Sequence, residues 1–280
     1  KNRLKACVVN MSGGVDSAAT FALMVHASQK SDSPIEKIVG IAQPIHSTEA
    51  IWKRALECVQ IPDDENIFSF KNSDKNSENS DKFFSASKKI EIITVDQSSI
   101  FDQLSQLVEG SLKLAGNDFS RGQMKSYMRT PVAFYVAQLL TQHGLPCIVL
   151  GTGNRDEDGY LYYFCKAGDG VSDVQLLNDL HKSEVFLVSE KLNVPRSILE
   201  APPSADLWDG QTDEDELGFS YDFVELLTEY LDMDEERKQN MLQLLSVDAL
   251  KQFRELEAKA VAVHNRNSHK ADYPFNINIL

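Results

Sequence analysis

The chain has 280 residues and a formal net charge of −14, because 42 Asp and Glu residues outnumber 28 Lys and Arg residues. An acidic surface repels a phosphate backbone, so this charge argues against nucleic acid as a partner. No run approaches the roughly 20 apolar residues that a membrane span needs, so no membrane association is expected either. The length suits one large α/β domain, and residues 1–280 are interpreted as a single domain.

Short apolar runs alternate with helical patterns through the first half of the chain. Strands are expected at 7–10, 37–42, 90–95 and 147–150, and helices at 18–25, 48–60, 98–114 and 121–142. Strands that alternate with helices predict an open parallel β-sheet with helices on both faces. Further helices are expected at 181–192 and then as far as residue 264, so C-terminal helices follow the sheet.

Three polar stretches interrupt this pattern. Residues 71–82 (KNSDKNSENSDK) contain no apolar side chain and cannot contribute to a core, which predicts a mobile surface insertion. Residues 151–175 are rich in Gly and Asp with interleaved aromatic residues, a composition typical of a functional loop. The acidic run 213–216 is interpreted as the solvated N-terminus of a helix, where carboxylates are favoured, and is assigned no catalytic role.

The four cysteines are scattered along the chain and never form a CxxC pair. Cys7 and Cys147 lie in apolar strand-like runs and Cys58 lies on a predicted helix, so these three are interpreted as buried thiols. The N-terminus lacks the long apolar core of a signal peptide. Together these features predict a reducing, cytoplasmic location.

A glycine loop with the sequence SGGVDS directly follows the first predicted strand. Its glycines allow backbone N–H groups to approach an anion closely, and the N-terminus of the following helix attracts negative charge to the same place. Its aspartate would repel a phosphate without a metal ion, but it suits a Mg²⁺ ion that is bound to ATP. A simple strand-to-helix turn is the structural alternative. The predicted ATP-binding residues here are Met11, Ser12, Gly13, Gly14, Val15, Asp16 and Ser17.

This loop resembles the signature of the N-type ATP pyrophosphatases, the PP-loop superfamily with an adenine nucleotide alpha hydrolase-like fold. Residues 151–157 (GTGNRDE) and 202–218 (PPSADLWDGQTDEDELG) closely resemble two motifs of the NAD synthetases within that superfamily. Residues 163–170, 180–185 and the pair at 269–270 match three more motifs in the same order. On these motifs the chain is identified as a member of the NAD synthetase family.

The resemblance implies roles for further residues on the ATP side. Thr152 is expected to contact the adenosine, Lys182 to neutralise the polyphosphate, and Ser204 to contact an ATP phosphate. Glu157 is expected to face Asp16 as the second carboxylate that holds Mg²⁺. Mg²⁺ is thus the implied cofactor, and ATP is a co-substrate.

The resemblance also implies a set of contacts to deamido-NAD, the acceptor substrate. The family usually carries an alanine-arginine pair where this chain has Ser126 and Tyr127, with Arg129, Arg121 and Lys125 as candidates to compensate. A second departure is Ala167, which stands where the family has an aromatic ring. The residues assigned to deamido-NAD are Arg129, Lys166, Asp173, His269 and Lys270.

The implied reaction proceeds in two steps. The nicotinate carboxylate of deamido-NAD attacks the α-phosphorus of ATP, which gives an acyl adenylate and pyrophosphate, and ammonia then releases NAD and AMP. The catalytic domain fills the chain and leaves no room for an amidase domain, so direct use of ammonia is expected. The family also implies a homodimer.

Two other functions remain as alternatives at this point. A tRNA thiolation enzyme shares the glycine loop, but it calls for a reactive cysteine pair and a basic RNA surface. A nucleotide-binding homologue without turnover is supported only by the departures at Tyr127 and Ala167. An assay with ATP, Mg²⁺, deamido-NAD and ammonium distinguishes all three.

Overall fold

A computed structural model describes residues 3–58, 89–204, 210 and 212–271 of the chain. The insertion expected at 71–82 lies outside these residues. Across the described ranges, no helix combines the length and the apolar character that crossing a membrane requires.

The described residues form a parallel sheet of five strands in the order β3-β2-β1-β4-β5. The strands are β1 (Ala6–Asn10), β2 (Lys37–Ala42), β3 (Ile90–Thr94), β4 (Cys147–Asn154) and β5 (Val174–Leu177). The chain builds outward from β1 to β3 and then returns to place β4 on the other side of β1. Ligands of open α/β sheets bind where the strand order reverses, at the carboxyl ends of the strands. In this fold that position lies between β1 and β4.

The predicted helices cover both faces of the sheet, as expected. They are α1 (Val15–Ser28), α2 (Glu49–Glu57), α3 (Ser98–Leu112), α4 (Asp118–Gln142) and α5 (Lys182–Lys191). Side chains alternate across a strand, so Cys7 and Val9 of β1 pack with α1 while Ala6 and Val8 pack with α4. Each face of the sheet therefore has its own apolar layer.

A separate apolar cluster holds the C-terminal helices from residue 213 onward. The later helices are α6 (Arg196–Leu199), α7 (Asp213–Leu217), α8 (Tyr221–Asp232), α9 (Glu235–Leu244) and α10 (Val247–Asn267), followed by a 3₁₀ turn at Ser268–Lys270. Phe253 of α10 packs edge-to-face against Phe223 and Tyr230 of α8, with ring centroids 5.8 and 5.1 Å apart. The fully buried side chain of Leu161 joins the same cluster. The C-terminal helices are thereby anchored next to the carboxyl end of β4.

The interpretation of residues 151–175 as one loop is wrong at both ends. β4 continues to Asn154, a π-helix occupies Arg155–Leu161, and β5 begins at Val174. β5 is only four residues long and lies at the edge of the sheet, with half of its residues exposed. So short and exposed a segment lacks the continuous apolar run that marks the buried strands.

Candidate functional site

The glycine loop connects β1 to α1 at the point where the strand order reverses. Gly13 has φ +87°, and a Cβ at this position would lie 2.2 Å from the carbonyl oxygen of Ile51. Only glycine meets both conditions, because other residues disfavour this conformation and would clash with α2. The backbone turn that the sequence predicted is therefore built around a specific close approach.

The two serines of the loop hold it in shape. Ser12 Oγ lies 3.1 Å from Ser17 Oγ, and Ser17 Oγ donates a hydrogen bond of 3.0 Å to the carbonyl oxygen of Gly14. Gly14 is the N-cap of α1 and has no side chain to cap it, while Ser12 Oγ accepts from the backbone N–H of Gly14 at 3.2 Å. The first N–H groups of α1 thus point at the loop, which suits an anion.

Lys182 lies between two carboxylates from different parts of the chain. Its Nζ is 2.6 Å from Asp16 Oδ2 and 2.6 Å from Glu157 Oε1. Burial disfavours the charge on Lys182, but the two carboxylates outweigh this effect and raise its pKa. Burial raises the pKa of Glu157 to about 7, although the Lys182 ammonium opposes the shift. The structure thus brings together three residues that the sequence had assigned to ATP and its metal.

The two carboxylates fit the Mg²⁺ ion that the family implies. Asp16 and Glu157 converge on one cationic centre, the Nζ of Lys182, so their oxygens can share a cation. Mg²⁺ is commonly held by one or two carboxylates together with substrate phosphates. Among the described residues, no group of three or more His, Cys, Asp or Glu side chains is arranged to hold a metal. The pair therefore suits a metal that arrives with a nucleotide.

Asn154 joins the carboxylate of Asp16 to the backbone of Glu157, and sequence reasoning did not assign it a role. Its Nδ2 donates to Asp16 Oδ1 at 2.9 Å, while its Oδ1 accepts from the backbone N–H groups of Asp156 and Glu157. Asn154 is fully buried and caps the π-helix. Short π-helical segments are frequent at functional sites. The GTGN motif indicates such a role for Asn154, because it places a hydrogen-bonding side chain at the end of β4.

The acidic run at the start of α7 is not wholly solvated, contrary to the expectation from sequence. Asp213 is 7% exposed, and its Oδ2 accepts a hydrogen bond of 3.2 Å from the hydroxyl of Tyr221. Its Oδ1 has no hydrogen-bond partner. Burial raises the pKa of Asp213, and the positive charge of Lys182 opposes that shift. Tyr221 in turn lies under Lys182 Nζ, 5.2 Å from the ring centroid. Asp213 thus belongs to the environment of Lys182.

The remaining residues assigned to ATP lie on segments next to this cluster. Thr152 is half-buried in β4, two residues before Asn154. Ser204 follows Pro203, whose carbonyl accepts from the backbone N–H of Asp213 at 3.2 Å. This bond brings the Ser204 segment to α7.

A pocket opens beside the glycine loop at the carboxyl ends of β1 and β2. Arg129 lines it, and the Nε of Arg129 donates to the carbonyl oxygen of Gln43 at 3.4 Å. The Gln43 side chain donates in turn to Asn10 Oδ1 at 2.7 Å. The lining residues are Asn10, Met11, Ser12, Ile41, Gln43, Pro44, Ser47, Trp52 and Arg129. Arg129, expected to contact deamido-NAD, therefore shares a pocket with Met11 and Ser12 of the glycine loop.

Three residues assigned to deamido-NAD form a second group. Lys166 Nζ donates to the carbonyl oxygen of His269 at 3.2 Å. Lys270 Nζ donates to the carbonyl oxygens of Tyr162 and Phe164 at 3.1 and 2.8 Å. The C-terminal 3₁₀ turn is thereby bound to the segment that follows the π-helix. Two distant sequence motifs meet in this group.

Asp173, the remaining residue assigned to deamido-NAD, contacts the sheet. It is exposed, and its Oδ2 accepts from the backbone N–H of Val149 in β4 at 2.8 Å.

Ser126, which stands where the family usually carries alanine, has a structural role. Ser126 Oγ donates to Asp169 Oδ1 at 3.0 Å, and a Cβ on Gly168 would lie 2.0 Å from the same Oγ. A serine at this position thus secures the segment around residue 168 against α4.

A model of the family described as NAD synthase matches residues 1–274 of this chain. The chain belongs to the NAD synthase family. The NH(3)-dependent NAD(+) synthetase of Methanococcoides burtonii is 33% identical over 222 residues, which are 79% of this chain and 70% of that protein. The protein of the same description from Pyrococcus furiosus is 32% identical over 235 residues, 83% of this chain and 75% of its own length.

Solved structures of NAD synthase relatives agree with the fold. The NMN synthetase from Francisella tularensis has a TM-score of 0.69 and 25% identity, over 99% of this chain and 90% of its own. The NH3-dependent NAD synthetase from Campylobacter jejuni has a TM-score of 0.64 over the same shares, and its 18% identity supports the fold alone.

Membership in the NAD synthase family confirms the class of reaction predicted from sequence. NAD synthases are ligases that use ATP to form a carbon–nitrogen bond, converting deamido-NAD to NAD. The alternative of a tRNA thiolation enzyme is not supported by this match.

Proposed function

We propose that this chain uses ammonia for the ATP-dependent amidation of deamido-NAD, with an acyl adenylate as the intermediate. The observation that carries the proposal is the group formed by Lys182, Asp16 and Glu157 at the reversal of strand order. A buried ammonium beside a helix N-terminus suits a polyanionic reactant, and the carboxylate pair suits the metal that accompanies it.

On the ATP side, each residue has a defined task in this proposal. The N–H groups of the loop and of α1 bind the pyrophosphate portion, and Lys182 disperses the charge that develops at phosphorus. Asp16 and Glu157 hold Mg²⁺, which supplies further neutralisation of the phosphate oxygens. Thr152 and Ser204 contact the adenosine and a phosphate.

On the acceptor side, Lys166, His269 and Lys270 bind deamido-NAD together. Lys166 donates to the carbonyl oxygen of His269, and Lys270 donates to that of Tyr162, so the two segments form one basic surface. This surface suits the pyrophosphate or ribose groups of a dinucleotide. Arg129 and Asp173 are assigned to the same substrate from α4 and the sheet edge. Ammonia is itself the nucleophile in the second step, so no enzyme nucleophile is required.

One residue of this chain and one relative favour a second acceptor substrate. Tyr127 replaces the arginine that the family usually carries, and its side chain is 45% exposed on α4. The Francisella tularensis structure, similar over almost the whole chain, is named for the synthesis of NMN. The second candidate function is therefore amidation of the corresponding mononucleotide, nicotinic acid mononucleotide.

The test is an assay of purified protein with ATP, Mg²⁺, ammonium and either acceptor. We expect NAD and AMP in equal amounts from deamido-NAD, with a higher kcat/KM than for nicotinic acid mononucleotide. The reverse preference would favour the second candidate. Absence of AMP with both acceptors contradicts the proposal and favours the nucleotide-binding alternative, while turnover with glutamine alone contradicts the direct use of ammonia.

The proposed assembly is a homodimer in a reducing, cytoplasmic environment. The four cysteines are free thiols, which agrees with that environment.

Large exposed apolar patches commonly mark interfaces, and α3, α4 and the segment between them carry one. Its residues include Ile100, Leu104, Leu107, Val108, Leu112, Leu114, Phe119, Tyr127 and Tyr135.

The dimer is tested by changing one residue of this patch. Leu107, which is 67% exposed on α3, is replaced by lysine, and the mass in solution is measured by sedimentation. We expect the wild-type protein at twice the 31.4 kDa chain mass and Leu107→Lys at the chain mass. Leu244→Lys on α9, where the leucine is 87% exposed outside the patch, is the matched control and should remain dimeric. A monomeric wild-type protein would refute the assembly.

A further inference from the structure

A buried carboxylate and an imidazole lie at the backbone of Lys182, whereas Asp16 and Glu157 contact its ammonium. Asp156 is completely buried, with Oδ1 2.7 Å from His181 Nδ1. Its Oδ2 accepts from the backbone N–H of Lys182, also at 2.7 Å. One side chain of the π-helix therefore binds the first two positions of the α5 terminus, the N-cap residue His181 and then Lys182.

Both members of this pair are held from more than one direction. The backbone N–H of Asp156 donates to Asn154 Oδ1, the same oxygen that accepts from Glu157. His181 Nε2 lies 3.4 Å from Glu229 of α8. A buried carboxylate is unfavourable unless it is paired and hydrogen-bonded, and here each oxygen of Asp156 has a close partner. The pair therefore fixes the position of the α5 terminus relative to the π-helix.

This position decides where the ammonium of Lys182 lies. The Lys182 side chain leaves the first turn of α5, and its Nζ must reach Asp16 and Glu157 at 2.6 Å each. A shift of α5 along the π-helix would move Nζ away from both carboxylates. A misplacement of about 1 Å in a reacting site can lower a rate by about 10²-fold.

We propose that Asp156 and His181 are positioning residues, which hold the Lys182 ammonium where it meets the ATP phosphates. Neither residue touches the substrate in this proposal, and both act through Lys182. The proposal rests on the proposed function of Lys182 in binding ATP, and it adds two residues to which no role had been assigned.

A double-mutant cycle tests this dependence on Lys182. Asp156→Asn, Lys182→Met and the double variant are compared by kcat/KM for ATP and, separately, by the affinity for Mg²⁺-ATP from calorimetry. Asn keeps the size of the side chain but loses the charge that both contacts use. We expect Asp156→Asn alone to lower kcat/KM for ATP by about 10- to 100-fold, as for other outer-shell partners. The KM for deamido-NAD should be unchanged.

The decisive comparison is the effect of Asp156→Asn in the Lys182→Met background. We expect no further loss there, because the residue through which Asp156 acts is already gone. An equal fold-loss in both backgrounds would mean that Asp156 contributes only to general structure, and it would overturn the proposal. His181→Gln repeats the cycle with a milder change, so the test stands even if Asp156→Asn does not fold.

Glu184→Gln is the matched control for the same helix terminus. Glu184 is exposed, and its Oε2 accepts from the backbone N–H of His181 at 2.8 Å without touching Asp156. We expect kinetics like those of the wild-type protein, and a loss equal to that of Asp156→Asn would contradict a specific role. If the wild-type protein binds Mg²⁺-ATP but turns over neither acceptor, the proposed function fails while the calorimetric cycle still decides the positioning role.

Discussion

Replacing Lys182 by methionine is expected to lower kcat/KM for ATP by about 10²- to 10³-fold, the range for a preorganised group that stabilises developing charge. The variant also leaves Asp16 and Glu157 without their shared ammonium. Since burial already raises the pKa of Glu157 to about 7 and Lys182 opposes that shift, its loss should raise the pKa further. Glu157 should then be protonated at neutral pH, which weakens the site for a metal ion as well.

Stability should fall together with activity in this variant. Removing one partner of a buried ion pair typically costs about 3–5 kcal/mol in the free energy of unfolding. Urea unfolding of the variant and of the wild-type protein measures this loss. Lys191→Met in the last turn of α5, where the lysine is exposed, is the control and should retain both activity and stability. A Lys182→Met enzyme with wild-type kinetics would show that the ammonium does not act on ATP.

The second large effect is expected from Gly13→Ala in the glycine loop. An L-residue with a left-handed backbone is disfavoured by about 1–2 kcal/mol. The new Cβ would also lie 2.2 Å from the carbonyl oxygen of Ile51, so the loop and α2 must move apart. A displacement of about 1 Å in a reacting site can lower a rate by about 10²-fold. We therefore expect kcat/KM for ATP to fall by about this factor. Steady-state kinetics and urea unfolding measure the two effects.

Gly144→Ala separates the backbone strain from the clash. Gly144 has φ +85°, almost the same as Gly13, but a Cβ there would meet nothing within 4 Å. This control should lose stability through strain alone and keep its affinity for ATP. If both alanine variants showed the same loss of stability and neither lost activity, the close approach of Gly13 to α2 would have no functional importance.

The parallel sheet and its helices could be predicted because buried parallel strands appear in sequence as continuous apolar runs. β1 and β2 are such runs, and both were found. β5 was missed because it is short, lies at the sheet edge and exposes half of its residues. Local sequence gives little signal for a strand whose formation depends on its neighbour, β4.

The position and the backbone turn of the glycine loop could be predicted, since they depend on residues that are adjacent in sequence. Asp156 and His181 could not, because their roles arise only when the π-helix and α5 meet. Asp213 was misjudged for the same reason. A carboxylate at a helix N-terminus is usually solvated, and only the packing of Tyr221 beside it reveals that this one is buried.

The bonds that define the proposed ATP site join residues far apart along the chain. Lys182 and Asp16 are separated by 166 positions, and Asn154 and Asp16 by 138. Such a site has high contact order, so it cannot exist until β4 and α5 have assembled beside β1 and α1. Nucleotide binding at this site should therefore report the assembly of β1, β4 and α5, and a ligand at 100 times its dissociation constant stabilises the folded state by about 2.7 kcal/mol.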